Sequence, residues 1–434
     1  MNARAAAVKA LVKQEQSGYA NLVLDAVLKA SDLPPRERGF ASAIFYGVVE
    51  RQLTLDHCLR QCIKKPLSKL DAPVRAILRS GLYQAVWLDV PVSAAVNESV
   101  KLTRAFGKSS ASGFVNAVLR RAIGVKPENT KFKNQTERLS VLYSVSPSVA
   151  DFLLEYWPAD AEGILKASFE QGPVAVRVNP LRTTPEKLTA LLKEQGVSAR
   201  PGPVPGSLLL EGSGSPAELP AFKEGLFHVQ GLSSQLAAVS LDAQPGHKAA
   251  DLCAAPGGKT LTIAQQMGGE GQLYSRDAAA NRVPLIQKAV ERCGLACVTV
   301  SRADASVYDP ALADCDRVLC DVPCTGLGTL AKKPDIRYKD LSDLSGLHNL
   351  QAKILDTASR YVKAGGRLVY STCTIDPREN TQIVRSFLQA HPDFRLRQPA
   401  FVPDGAVLDG GMMTLLPSRC PGFDGFFIAT LERL

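Results

Sequence analysis

Apolar positions recur at helical spacing through the first 123 residues, in Ala6, Val8, Leu11 and Val12 and again in Ile77, Leu78, Leu82 and Val86. Pro34, Pro35, Pro66, Pro73 and Pro91 punctuate this pattern, with Gly81 and Gly107 as further breaks or close contacts, so about six or seven helices are predicted. Residues 124–140 are polar and poor in aromatics, which suits a linker. An all-α domain over 1–124 and a linker over 125–145 follow. From about Ser146 the pattern mixes: Val174 to Val178 alternates like a strand, Pro185 to Gln195 like a helix, and Ser207 to Leu210 and Leu226 to Val229 like further strands. These make a small α+β domain over 146–244. Strands and helices then alternate, with strands expected at 248–253, 272–276, 297–301, 317–321 and 367–371 and helices at 260–267, 281–293 and 344–362. The fold class over 245–434 is therefore α/β, a doubly wound Rossmann-like sheet. The apolar run Gly425 to Leu431 adds a strand, expected at the antiparallel edge.

The 434 residues are 45% hydrophobic and 21% charged, enough for two or three cores. No run approaches the roughly 20 apolar residues that span a bilayer, and Met1-Asn2-Ala3-Arg4 opens a helix with no uninterrupted secretory core. A cytoplasmic protein with no membrane partner is expected. Charge is uneven: residues 1–123 hold 18 Lys+Arg against 9 Asp+Glu, while the other 33 of each sign cancel. A basic domain joined to a neutral one suits RNA or another polyanion, and equally a helical domain with solvated lysines. Ten cysteines and five histidines lack a Cys-x-x-Cys pair or a Cys/His cluster, so no metal site or disulfide framework is expected. Cys58/Cys62 and Cys293/Cys297 read as packing.

Two other cysteines close apolar runs that read as strand ends: Cys324 in Asp321-Val322-Pro323-Cys324-Thr325-Gly326 and Cys373 in Tyr370-Ser371-Thr372-Cys373-Thr374. C5 of a pyrimidine is a poor nucleophile until a thiolate adds at C6 and makes the ring an enamine, so thiols in polar turns raise cytosine C5 methylation as a possibility. Asp251-Leu-Cys-Ala-Ala-Pro-Gly-Gly-Lys-Thr260 follows the first sheet strand and opens a helix, where small residues let backbone amides approach a ligand. A phosphate-binding Walker loop needs Gly where this chain has Cys253, which argues against a P-loop. Asp277 and Asp304 end the next strands, where the first is placed for ribose hydroxyls and the second for an adenine amino group. A nucleoside cofactor is implied. Asp321 is placed to pair with the exocyclic amine and N3 of a cytosine. A helix N-terminus expected at Asp376 to Glu379 would favour a thiolate at Cys373. The basic, Tyr-bearing segment 329–338 suits an RNA backbone and a stacked base, or else a solvated loop.

Together, residues 251–260, Asp321-Val-Pro-Cys-Thr-Gly-Leu-Gly328, Lys333-Pro-Asp-Ile-Arg337 and Ser371-Thr-Cys-Thr374 resemble the NOL/NOP/Sun family of RNA cytosine-C5 methyltransferases. The resemblance extends along nearly the whole chain, because 3–123 look like a NusB-type RNA-binding domain, marked by Ile44 to Val49 and Phe114 to Arg121. It implies S-adenosyl-L-methionine as cofactor, held by Cys253, Ala254, Ala255, Pro256, Gly257, Gly258 and Lys259 with Asp277, Asp304 and Asp321. It implies Cys373 as nucleophile and Cys324 as the thiol that assists product release, the order found in the RNA enzymes rather than the DNA enzymes. The partner it implies is RNA, by analogy small-subunit ribosomal RNA, with the enzyme a monomer; transfer RNA, another ribosomal position, and a non-catalytic RNA-binding factor are the alternatives. Two positions depart from the family pattern: Arg276 replaces an apolar residue before Asp277, and Gly231 replaces Asp after Val229-Gln230, which is expected to loosen the packing there.

Overall fold

In the computed structural model, which describes residues 1–17, 20–170 and 172–434, the N-terminal part forms seven α-helices among the described residues. They are α1 (Ala3–Ser17), α2 (Ala20–Lys29), α3 (Pro35–Glu50), α4 (Gln52–Arg60), α5 (Ala72–Trp87), α6 (Val92–Ala105) and α7 (Ser112–Ala122). Their apolar stripes meet in one core that includes Ile44, Phe45, Val48, Ile77, Leu78, Leu82, Val115 and Leu119. Inside it, Arg79 grips Asp56 with two hydrogen bonds of 2.7 and 2.8 Å and reaches Glu15 at 2.6 Å. This planar fork ties α1, α4 and α5 together. Arg60, Lys64, Lys65, Arg120 and Arg121 stay exposed around the C-terminal ends of α4 and α7, where cations also complement the helix dipoles.

The segment 125–145 is not a linker. It contains α8 (Gln135–Tyr143), capped by Asn134, whose side chain accepts from the Glu137 amide at 2.8 Å, while the Glu137 carboxylate accepts from the Lys133 amide at 2.6 Å. A short helix with only Leu139 and Ser140 buried has the polar composition of a linker. Next come α9 (Pro147–Tyr156) and α10 (Ala161–Ala167). The helical unit runs from Met1 to Leu165 and includes a second stretch, Lys332–Ser342; the other unit holds Lys166–Ala331 and Asp343–Leu434. The α+β part thus begins later than 146.

This stretch overlaps residues 329–338, which the sequence suits to an RNA contact or to a solvated loop. Instead Arg337 is fully buried and donates to the Tyr143 carbonyl at 3.0 Å. The Tyr338 hydroxyl bonds the Val49 carbonyl, accepts from the Gln52 amide at 3.2 Å and lies 2.9 Å from the Ser144 hydroxyl. Asp335 accepts from the Ala20 amide at 3.0 Å. Lys332, Lys333 and Lys339 are exposed beside these anchors.

In the other unit, β1 (Val174–Val178), α11 (Pro185–Glu194), β2 (Ser198–Pro201), β3 (Ser207–Glu211), α12 (Pro220–Lys223) and β4 (Phe227–Val229) form a sheet of order β2-β3-β1-β4. Val176, Val178, Leu208 and Leu210 face Leu188 and Leu192 of α11 across a common core. After α13 (Leu232–Ser240) come β5 (Lys248–Asp251), α14 (Gly258–Gln266), β6 (Gln272–Asp277), α15 (Val283–Cys293), β7 (Val298–Arg302), β8 (Cys315–Asp321), α16 (Ser345–Ser359), β9 (Val362–Thr372), α17 (Thr381–Ala390), β10 (Phe394–Leu396), β11 (Val407–Asp409), β12 (Met412–Leu415) and β13 (Phe426–Arg433). The order β11-β12-β13-β9-β8-β5-β6-β7 is parallel from β9 to β7 and antiparallel beyond β9. The expected antiparallel strand, β13, is present but not outermost, since β12 and β11 continue the sheet and β10 also pairs with β13. Strand order reverses at β5 and β8, where such sheets open a ligand crevice at the strand C-termini.

Candidate active site

Each strand that meets the crevice ends on a polar side chain: Asp251 on β5, Asp277 on β6, Asp321 on β8 and Thr372 on β9. The turn after β5 folds tightly because Gly257, which caps α14, sits at φ +105°, in the left-handed region that favours glycine. Asp277 clamps this turn from β6: its two oxygens accept from the Ala255 amide at 3.0 Å and the Ala279 amide at 2.9 Å. Arg282 donates to the Ala255 carbonyl at 2.6 Å. Arg276, the first departure, forms an ion pair of 2.7 Å with Asp309. Gly231, the second, is the N-cap of α13 and offers no side-chain cap. Asp304, after β7, is exposed and accepts from the Ser306 amide at 2.9 Å, which with the Ser306 side chain lowers its pKa. It touches none of the other predicted site residues through a hydrogen bond. Cys253 packs its side chain on the core beneath the sheet, and burial raises its thiol pKa.

Beneath the turn Asp251 is fully buried. Thr260 donates to one of its oxygens at 2.7 Å, and the other has no hydrogen-bond partner. Burial raises this acid to about 7, against the opposing influence of the Thr260 hydrogen bond and Lys259.

Lys259, from the first turn of α14, donates to Asp321 at 2.6 Å, and Ser371 of β9 donates to the other Asp321 oxygen at 2.7 Å. Burial alone would lower the ammonium pKa, but Asp321 more than reverses that, and the Cys373 sulfur adds to the rise. A cation therefore stands beside the Cys373 sulfur, where it would favour the charged form of a thiol. The Cys324 and Cys373 sulfurs are 3.3 Å apart, each half-buried. Hydrogen bonding to Cys373 first, then burial, raises the Cys324 thiol well above its usual range. The helix beyond Cys373 starts at Thr381 and not within 376–379, because residues 377–380 form a turn instead. The nearby charge comes from Lys259.

Other polar side chains connect the two cysteine loops and carry no signal in the sequence alone. Glu379 and Gln351 are fully buried. Thr325, next to Cys324, and Thr374, next to Cys373, have hydroxyls 2.8 Å apart, and Asn380 donates to the Thr374 carbonyl at 3.0 Å. Main chains also meet: the Gly328 amide donates to the Cys373 carbonyl at 3.1 Å, and the Gly425 amide to the Gly328 carbonyl at 2.8 Å. A Cβ on Gly328 would lie 1.8 Å from the Gly425 carbonyl oxygen, so glycine is required there.

Comparison with known proteins matches residues 238–432 to the family described as 16S rRNA methyltransferase RsmB/F. Residues 1–124 match the NusB family, and 150–215 match a ferredoxin-like domain of RsmF/B-like methyltransferases. The chain is 37% identical over 431 residues to a "Probable ribosomal RNA small subunit methyltransferase B" of Synechocystis sp., covering 96% of both chains. It is 31% identical to the ribosomal RNA small subunit methyltransferase B of Pseudomonas putida, covering 100% of this chain and 99% of that one. Among solved structures, the crystal structure of PH0851 superposes with a TM-score of 0.83 at 27% identity, covering 99% of this chain and 98% of that chain.

Proposed function

Because the chain belongs to the 16S rRNA methyltransferase RsmB/F family, we propose that it methylates C5 of a cytosine in small-subunit ribosomal RNA, using S-adenosylmethionine and a covalent bond from Cys373 to C6 of the ring. The observation that carries this reading is the pair of thiols 3.3 Å apart beside the Lys259–Asp321 ion pair.

The residues present suit the cofactor. The glycine turn at 257–258 leaves no side chain in the way, Asp277 keeps acceptor capacity for ribose hydroxyls, and the free oxygen of Asp251 marks unmet polar demand beneath the turn. Residues 253–259, with Asp277, Asp304 and Asp321, would hold it. When bound, it supplies an electrophilic methyl group, so the protein has only to activate the base. In this reading Asp321, held between Lys259 and Ser371, accepts from the cytosine amine and from N3 once that nitrogen takes up a proton, and so stabilises the protonated ring that forms as C6 is attacked. The Cys373 thiolate adds to C6 and makes C5 nucleophilic. Once C5 carries the methyl group, loss of its proton expels Cys373 and restores the ring, and Cys324 assists this release. The exposed cations of the helical unit hold the surrounding RNA, and the target base is unstacked to reach the strand ends.

Trapping distinguishes the two roles. Cys324→Ala is expected to accumulate a protein–RNA adduct that survives denaturing electrophoresis, and Cys373→Ala to abolish both adduct and methylation; no adduct with either variant would overturn the assignment. Bisulfite sequencing of total RNA from cells with and without the gene identifies the position.

A further inference from the structure

Glu379 places a carboxylate where no water reaches, 0% exposed. Its Oε2 accepts from the Thr325 amide at 2.9 Å and from the Gln351 side chain at 2.8 Å, and its Oε1 accepts from the Thr325 hydroxyl. Gln351 also donates to the Pro323 carbonyl at 2.9 Å. Pro323 and Thr325 flank Cys324 in the chain, so both peptide units around that thiol are fixed to one carboxylate. From the other side, the Tyr370 hydroxyl of β9 donates to the Glu379 carbonyl at 2.6 Å, three residues before Cys373. No reacting atom touches Glu379, yet both cysteine loops depend on it.

We propose that Glu379 is the positioning residue of the thiol pair: it holds the Cys324 loop against the Cys373 loop, and its charge keeps the shared proton on Cys324. This rests on the roles proposed above for the two cysteines. Geometry supplies the first half, since loops that contribute neighbouring sulfurs from separate strands have no covalent reason to stay in register. Electrostatics supplies the second. A buried negative charge disfavours a thiolate near it, and Glu379 is among the groups that raise the Cys324 thiol. Lys259 acts in the opposite sense, because its charge is coupled to Cys373. The pair is thereby divided into a proton holder and a thiolate former.

Glu379→Gln separates charge from shape. The amide oxygen can take the place of Oε2 and accept from Thr325 and Gln351, while the amide nitrogen donates to the Thr325 hydroxyl, which turns to Thr374. The test uses the full chain and measures alkylation of Cys324 and Cys373 by iodoacetamide from about pH 6 to about pH 10, read by peptide mass spectrometry. Glu379→Gln is expected to raise the Cys324 rate at neutral pH about tenfold, equivalent to about one pKa unit. It is also expected to lower kcat about tenfold or more with KM for RNA unchanged, and Glu379→Asp to restore the slow Cys324 profile. Thr325→Ala, which removes the hydroxyl tie to Oε1 but keeps the backbone-amide tie and the charge, is expected to lower kcat while Cys324 stays slow. A folded Gln variant with the parental alkylation profile overturns the charge role. Parental kcat in both Glu379→Gln and Thr325→Ala overturns the positioning role. Alkylation needs neither RNA nor cofactor, so its outcome is separate from the methylation reading, which the parent enzyme tests.

Discussion

Asp251 and His228 are buried titratable side chains with opposite consequences for pH. Burial lowers the His228 imidazole most, its hydrogen bond to Gln230 opposes this, Arg177 and Arg292 lower it further, and the result is about 3. Between about pH 3 and about pH 6.5 the unfolded chain binds a proton there that the folded chain refuses, so stability is lost as pH falls through that window. Asp251 is raised to about 7, so from about pH 4 upward the folded chain keeps a proton that the unfolded chain releases. Its contribution is full below that range and is lost as pH rises through 7. Urea titrations across this range are expected to show Asp251→Asn gaining on the parent as pH rises, and His228→Gln gaining as pH falls. Gly328→Ala gives a steric test, because its Cβ meets main chain and not a side chain that can move. A loss of about 2–4 kcal/mol in the same titration is expected, with methylation lost as the Cys324 loop shifts. At this scale the residues proposed for the site are legible in the sequence and their supports are not. Asp321, Cys324 and Cys373 close apolar runs and Asp277 ends a strand-like segment, a local signal, whereas Glu379 and Gln351 gain meaning only when segments far apart in the chain meet.

Elements show the same contrast. The strands β5, β6 and β8 are marked in the sequence by the acids that close them and β9 by the apolar run before Cys373, but β10, β11 and β12 are three or four residues long and carry too little alternation to read. Helix α8 was hidden by its polar composition, although Asn134 followed by Glu137 is a capping signal. At α13 the expectation of loosened packing gives way to a narrower effect: Gly231 occupies an N-cap with extended backbone, φ −61° and ψ 146°, which any residue can adopt. Gly231→Asp, restoring the residue usual in the family, is expected to stabilise the chain by a few tenths of a kcal/mol up to about 1, seen as a higher urea midpoint with an unchanged slope.

For the whole molecule, the informative segment is Lys332–Ser342, which belongs to the helical unit although its neighbours on both sides in the chain belong to the other. Its composition suggested an exposed RNA contact, yet charge and aromaticity say nothing about burial, and Arg337 and Tyr338 are consumed by partners on 49–52 and 143–144. Tyr338→Phe removes a hydroxyl that satisfies the Val49 carbonyl and the Gln52 amide, and a loss of about 1–3 kcal/mol in a urea titration is expected.

Synthesis adds a timing constraint. Residues 1–165 leave the ribosome first, but the piece that completes their unit follows only with residues 332–342, about 10–35 s later at ordinary elongation rates. Until then the Val49 carbonyl, the Gln52 amide and the Tyr143 carbonyl lack their native partners. The N-terminal unit is thus first in the chain and late to mature. Nascent chains arrested soon after residue 165 are expected to be cut readily by protease within 1–165, and chains with residue 342 clear of the ribosome to resist it.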